Sequence, residues 1–447
     1  MQRNDVIRAT CESLGADMEG ITHVDGECVF VKGFLPDETA DIRILKTEKR
    51  YAFAKVEKLV EANEAIRCEN DCSSYPRCGG CTCRHMVYSQ TLENKRTQVK
   101  ECLKRIGGIE ADVPPVIGME KPFHYRNKTA MPVGGTAENP VIGFYAPRSH
   151  DIIPVTSCPN AMEPADKLAD ALKAYIREAH VLPYDEKSGK GLIRHLMVRV
   201  SREGGVMVIL VATGKQLPKE ELLCEKLKAA GATSVIINVN KEKTNVILGR
   251  EYRTVFGEDT MEDLLCGFRF SVSPASFFQV NPAQTEKLYQ TALDFAQLQP
   301  GDRVCDVYCG AGTISLMLSQ KAKEVIGIEI VPAAIENAKQ NAIRNKVTNT
   351  QFFCGAAEDV LPDMVEKGLR PDVIVIDPPR KGAEEAVLLA MAKAAPRRIV
   401  YVSCNVATQA RDAKILCENG YRVEQVQSVD MFCYTSGVEN VMAFVKE

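Results

Sequence analysis

The chain has 447 residues, 45% of them hydrophobic and 26% charged, with a formal net charge of −3. That length predicts two or three cores, and the charge excludes a bulk polycation while leaving room for a nucleic-acid enzyme with a local basic face. No stretch approaches the roughly 20 apolar residues of a membrane span, and the first residues lack the apolar core of a signal peptide, so a cytoplasmic location is expected. Seventeen cysteines without a tryptophan then point to metal, catalysis or burial before disulfides.

Residues 1–66 alternate apolar and polar in short runs broken at Val24-Asp25-Gly26 and at Phe34-Leu35-Pro36-Asp37. Four or five strands in so little chain predict a small closed β-barrel of the oligonucleotide-binding kind, with a purely structural β-domain equally open. Residues 67–268 begin with crowded cysteines and an amphipathic helix from Thr91 to Gly108. Leu92, Val99, Leu103 and Ile106 are assigned to its apolar side, and Lys95, Arg96, Lys100, Lys104 and Arg105 to a basic side that faces solvent or phosphate. Strand-like HLMVRVS, VMVILVA, SVIINVN and TNVILG then mix with two helical stretches, which predicts an α+β domain. Residues 269–447 change rhythm. The apolar strands RVCDVY, EVIGIE, DVIVID and RIVYVS are each followed by a helical segment, the pattern of a parallel, doubly wound α/β sheet covered on both faces. The last two strands have no helix between them and are expected to pair antiparallel.

The segment from Asp306 through Gly310 and Gly312 to Thr313 links the first of these strands to a helix. Its glycines permit a sharp turn and close approach of a ligand at the carboxyl edge of the sheet. The third glycine of a dinucleotide fingerprint is missing. Glu329 ends the next strand, where an acid binds ribose hydroxyls, and Asp377 ends a later one, before Pro378-Pro379. Together they favour S-adenosylmethionine over a nucleotide diphosphate.

Cys404 ends the strand after Asp377, and Glu439 begins the last strand. A thiolate and a carboxylate beside a methyl donor suit one problem in particular. C5 of uracil is a poor nucleophile until a thiolate adds to C6, and a base must afterwards take the C5 proton so that the thiolate can leave. Cys72, Cys78 and Cys81 lie within ten positions with two glycines among them, and Cys158 is the best fourth ligand. Spacing alone leaves an iron–sulfur cluster and a structural zinc equally open.

Ser276-Phe277-Phe278-Gln279-Val280-Asn281, the Asp306–Gly312 loop, Asp377-Pro378-Pro379-Arg380-Lys381-Gly382, Ser403-Cys404-Asn405 and Val438-Glu439 occur in that order. In these motifs, and over nearly its whole length, the chain resembles the RNA uracil-5-methyltransferase family. The resemblance implies a class I methyltransferase domain at 269–447, a central α+β domain carrying the cysteine motif at 67–268, and a TRAM-like RNA-binding barrel at 1–66. It implies that Gln279, Tyr308, Glu329 and Asp377 hold S-adenosylmethionine, that Cys404 is the nucleophile and Glu439 the base, and that Cys72, Cys78, Cys81 and Cys158 carry a [4Fe-4S] cluster. Two positions depart from the family pattern: Val406 stands for a proline, which is expected to loosen the turn presenting Cys404, and Gly437 stands for a histidine, which removes a polar neighbour of Glu439.

The expected partner is RNA, reached with the target base out of its stack. The TRAM-like domain and the cluster together favour 23S ribosomal RNA, with transfer RNA as the alternative, acted on by a monomer. Phe278, Tyr308, Phe432 and Tyr434 are candidates for stacking on the extruded base, and Arg126 for a phosphate contact. Two further readings stand beside this one. Asp377-Pro378-Pro379 would suit an amino-group methyltransferase, but Arg380 occupies the place of its aromatic. A non-enzymatic iron–sulfur RNA-binding module would not need the donor loop.

Overall fold

A computed structural model describes residues 1–447. The N-terminal sheet has six strands rather than four or five, lying between Val6 and Glu61. Its two edge strands, Val6–Thr10 and Ser13–Leu14, are consecutive pieces of one segment, pairing with Thr39–Arg43 on one side and Gly20–Ile21 on the other. The sheet therefore curls round an interior of alternating residues that includes Val29, Val31, Ile42, Ile44, Ala52 and Ala54.

The central sheet has seven strands, and three adjacent inner ones, Ile193–Val200, Val206–Ala212 and Ser234–Val239, are buried along almost their whole length. Alternate residues divide between two cores. Leu196, Val208 and Ile237 meet helices Pro164–Ala179 and Glu220–Ala229 on one face. Met197, Met207 and Ile236 face the hairpin Met261–Val272 and helix Pro282–Ala296 on the other, in a core shared with the C-terminal sheet. The expected strand TNVILG does not form. Val246 is exposed, and the carbonyls of Val246 and Ile247 accept the Asn240 side-chain amide at 2.8 and 2.9 Å. Side-chain amides take the place of a ladder there, an alternative that asparagine offers the backbone.

The C-terminal sheet runs in the order Thr350–Cys354, Glu324–Glu329, Arg303–Val307, Val373–Ile376, Arg398–Ser403, Glu439–Lys446, Tyr421–Val429. The first five are parallel and the last two antiparallel, as the strand–helix rhythm predicts. Strand Thr350–Cys354 was not foreseen. It is a largely exposed edge strand and lacks the continuous apolar run of its neighbours. No helix is long and apolar enough to cross a membrane.

Helix Tyr88–Cys102 passes into a π-helical turn, Leu103–Gly107, and stops at Gly108, whose φ is 65°. Expected within the central domain, it packs instead on the C-terminal one: Val99 and Leu103 share a core with Val307, Ile399 and Leu416. Two of its side chains lie opposite to expectation. Ile106 is exposed because π winding shifts the phase of the last turn. Lys95 is fully buried, because position 95 lies three residues after Leu92 and four before Val99, on the inward stripe. Its ammonium donates to Asp430 Oδ1 at 2.6 Å, and Tyr88 Oη donates to Asp430 Oδ2 at 2.7 Å. Both charged side chains are out of solvent, so removing one partner strands the other. Lys95→Ala is expected to lower stability by about 3–5 kcal/mol, read as a lower denaturation midpoint, and Lys95→Met combined with Asp430→Leu should recover most of that loss.

Candidate active site

Strand register assembles the site. Ile376 pairs with Tyr401 and Ser403 with Asn440, so the next residues outward, Asp377, Cys404 and Glu439, meet at one sheet edge. Cys404 is half-buried and Glu439 is 5% exposed. Burial, then the charge of Asp377, raises Glu439 well above the ordinary carboxylate range, and burial pushes Asp377 up to about 7. Burial, Glu439 and Asp377 together raise the Cys404 thiol. Arg380 is the one cation that opposes both shifts, acting on Cys404 and on Glu439. The sequence signal for Arg380 was its place directly after Asp377-Pro378-Pro379, where an amino-group methyltransferase carries an aromatic.

The turn presenting Cys404 is braced despite Val406. The Asn405 side chain accepts from the amides of Ala407 and Thr408 at 3.1 and 3.4 Å, capping helix Val406–Glu418, and donates to the Arg380 carbonyl at 3.0 Å. An asparagine N-cap satisfies the first amides of a helix without help from a proline. Gly437 leaves Glu439 with no side-chain neighbour at that position. A Cβ there would stand 3.2 Å from Phe432 Cδ2.

One strand further along, Gly310 has φ 55° and open space where a Cβ would lie. The Gly310 amide donates to Glu329 Oε2 at 3.2 Å and the Val331 amide to Glu329 Oε1 at 2.8 Å, which fixes the carboxylate at the mouth of the loop. Tyr308 has φ 68° and is held by its amide to the Ile328 carbonyl at 2.9 Å, with its half-buried ring against the core on the far side of the sheet. Burial, then the neighbouring carboxylates of Glu358 and Glu384, raise its phenol to about 12. Gln279 enters from the loop before helix Pro282–Ala296, where its backbone carbonyl accepts the Asn127 side-chain amide at 3.2 Å. Beneath the loop, burial pushes Asp306 up to about 7 although Ser315 Oγ donates to it at 2.5 Å, and its Oδ1 has no partner. The loop after Val307, Glu329 and Asp377 thus stand at the ends of three adjacent strands along one edge, with open space at Gly310.

The aromatic candidates separate. Phe278 is buried against Phe270, and Tyr434 is buried beneath Arg84, so neither is free to stack on a base. Phe277, the other half of the Phe-Phe pair, is 76% exposed at the lip of the Gln279 loop. The sequence offered no means of telling which ring of the pair turns outward. Arg126 forms no ion pair, and its amide is held by the Asn160 carbonyl at 2.9 Å.

The cysteine loop lies on the other side of the Tyr434 turn. Burial raises Cys78, Cys81 and Cys158, Cys81 to about 12, and each is raised further by a neighbouring thiol of the set, Cys72 among them. Asn160 Nδ2 donates to Cys81 Sγ at 3.2 Å and the Gly80 amide to Cys78 Sγ at 3.3 Å. The thiols are gathered but do not close on a point: no three His, Cys, Asp or Glu side chains converge as the ligands of one ion would. Cys83 is fully buried in an apolar cluster with Leu35, Met86 and Tyr125.

The profile of the tRNA (Uracil-5-)-methyltransferase family matches residues 87–447, and that of the TRAM domain matches residues 2–56. Proteins named uncharacterized RNA methyltransferase from Clostridium tetani and Listeria innocua are 46% and 44% identical to this chain, covering 99% of it and 96% and 98% of their own lengths. A crystal structure of the Pyrococcus abyssi tRNA (uracil-54, C5)-methyltransferase with S-adenosyl-L-homocysteine is 27% identical, covers 98% of this chain and 99% of its own, and superposes with a TM-score of 0.80. With the motifs in order and a profile match over most of its length, the chain belongs to the tRNA (uracil-5-)-methyltransferase family of S-adenosylmethionine-dependent RNA methyltransferases.

Proposed function

We propose that Cys404 and Glu439 methylate C5 of a uridine in 23S ribosomal RNA. The observation that carries the chemistry is the register that sets a half-buried thiol beside a buried carboxylate at the donor edge of the sheet. The Cys404 thiolate adds to C6, and the electron pair of the C5–C6 double bond moves toward O4. Gln279, Tyr308, Glu329 and Asp377 would hold S-adenosylmethionine, which would supply an electrophilic methyl group; C5 takes that methyl as the methyl–sulfonium bond breaks, and the donor leaves as a neutral thioether. Glu439 then takes the C5 proton, the C5–C6 double bond reforms, and the Cys404 thiolate is expelled. The upward shift of Glu439 fits this role, since a carboxylate that holds its proton tightly is the stronger base once ionised.

RNA carrying 5-fluorouridine should trap a covalent adduct with the wild-type protein and none with Cys404→Ala. Methylation surviving in Cys404→Ala would reject the scheme. With ordinary RNA, Glu439→Gln should form adduct but release it about 10²–10⁴-fold more slowly, the usual contribution of a positioned base.

The ribosomal target is supported by the pairing of a TRAM domain with a cysteine motif. Transfer RNA is a second reading with its own support, since the Pyrococcus abyssi enzyme acts on transfer RNA and covers 98% of this chain. Labelling total RNA from a deletion strain with methyl-labelled donor decides between them: label in 23S RNA is the expected outcome, and label confined to transfer RNA selects the second reading.

Cys72, Cys78, Cys81 and Cys158 are assigned to a [4Fe-4S] cluster. Gathered thiols with an amide and a side-chain donor directed at their sulfurs suit a multinuclear centre, whose potential and charge depend on such hydrogen bonds. The cluster pins the central domain and takes no part in methyl transfer, which moves no net electron. Cys78→Ala is expected to lose the brown iron–sulfur absorbance and to fold or bind RNA poorly. A stoichiometric cluster with full activity in that variant would overturn the assignment.

A further inference from the structure

The turn that delivers Glu439 is held from outside its own sheet. Five consecutive carbonyls, from Asp430 to Tyr434, each accept a hydrogen bond from a segment far away in sequence. Gln284 Nε2 donates to Asp430 at 3.1 Å, Asn281 Nδ2 to Met431 at 3.2 Å, and Lys95 Nζ to Phe432 at 3.1 Å. Tyr125 Oη donates to Cys433 at 3.2 Å, and the amides of Thr82 and Cys83 donate to Tyr434 at 3.0 and 3.2 Å. Tyr434 takes a left-handed conformation, φ 61°, which a tyrosine adopts only when its surroundings impose it. Arg84 lies 4.6 Å from the centre of the Tyr434 ring, and its guanidinium is tied to Asn160 at 2.8 Å and Asp71 at 2.9 Å. Asn160 is the same residue that donates to Cys81 Sγ. Inside the turn, Thr435 Oγ1 donates to the Phe432 carbonyl at 2.8 Å and accepts the Gly437 amide at 3.2 Å, carrying the constraint to within two residues of Glu439.

The nucleophile is held by different contacts. Ser403, Asn405 and the Arg380 carbonyl brace Cys404, and none of them hydrogen-bonds to residues 430–434. Beyond the strand pairing of Ser403 with Asn440 that the two share, the turns presenting Cys404 and Glu439 are therefore held by different contacts. Thiolate attack depends on the Cys404 turn. Proton removal depends on a carboxylate placed within hydrogen-bond reach of C5, where small displacements are costly.

We propose that Thr82–Arg84 and Tyr125 form a positioning clamp for Glu439, so that the conformation of the cysteine loop governs release of the RNA adduct and leaves thiolate attack unaffected. The proposal rests on the roles given above to Cys404 and Glu439. It makes the cysteine loop a point at which the state of that loop sets turnover, through Cys81, Asn160, Arg84 and Tyr434.

The test uses the full-length protein and RNA with ordinary uridine. Two quantities are read: the fraction of enzyme held as adduct at steady state on a denaturing gel, and the single-turnover rate of methyl transfer from labelled donor. Tyr125→Phe, which keeps the ring and deletes one donor, should raise the adduct fraction about fivefold, and Arg84→Met about tenfold, with methyl transfer unchanged. A structural role alone would lower both quantities in proportion, and that outcome, or no change in either variant, overturns the clamp. Tyr125→Phe keeps the test open should Arg84→Met fail to fold, since loss of one buried hydrogen bond should lower its melting temperature by only a few degrees. Wild-type protein with 5-fluorouridine RNA serves as the control. If no adduct is trapped, the underlying roles fail; if it is trapped and both variants release ordinary RNA like the wild type, the clamp alone fails.

Discussion

A lysine and an aspartate, both removed from solvent, join the two ends of this chain. Lys95 reaches from the helix after the cysteine loop to Asp430, which opens the turn before the last strand. An unpaired charge at either position would be costly in so dry an environment, so the helix and the turn are held to one relative position. The rest of the Glu439 support follows from that pair. Tyr88 completes the aspartate's hydrogen bonds, the same ammonium caps the Phe432 carbonyl, and the adjoining segments fall into place against Cys433 and Tyr434.

What the pair positions is a carboxylate that burial keeps from ionising readily. Glu439, Asp377 and the Cys404 thiol crowd one edge: burial raises all three, Asp377 adds to the rise of Glu439, and both carboxylates add to that of Cys404. Arg380 moderates this from the rim. In the proposed mechanism this arrangement keeps the Glu439 carboxylate basic enough to take a proton from carbon. Parallel strands ending together in an α/β sheet produce such an edge. The antiparallel final strand adds a group that a purely parallel sheet would place at the opposite end.

The architecture of the C-terminal half was legible because fully buried parallel strands leave continuous apolar runs, each followed by a helical segment. The exposed edge strand Thr350–Cys354 left no such run and escaped notice. TNVILG had the composition of a strand, yet Asn238 and Asn240 claimed its backbone groups. Lys95 was misplaced because a charge outweighed its position on the helix, where the 3.6-residue period sets it on the inward stripe.

By itself the sequence determined the chemistry on offer: a thiol, several carboxylates, a glycine loop and a cysteine motif in a specific order, each recorded in local spacing. Only the tertiary structure decided which of these groups share a site and how each is held. Residues 82, 95, 125, 281 and 284 converge on five successive carbonyls through long-range hydrogen bonds, which leave no periodic trace in the chain. The same holds for the outward turn of Phe277 and the inward turn of Phe278, since adjacent identical rings are told apart only by the surface against which each one packs.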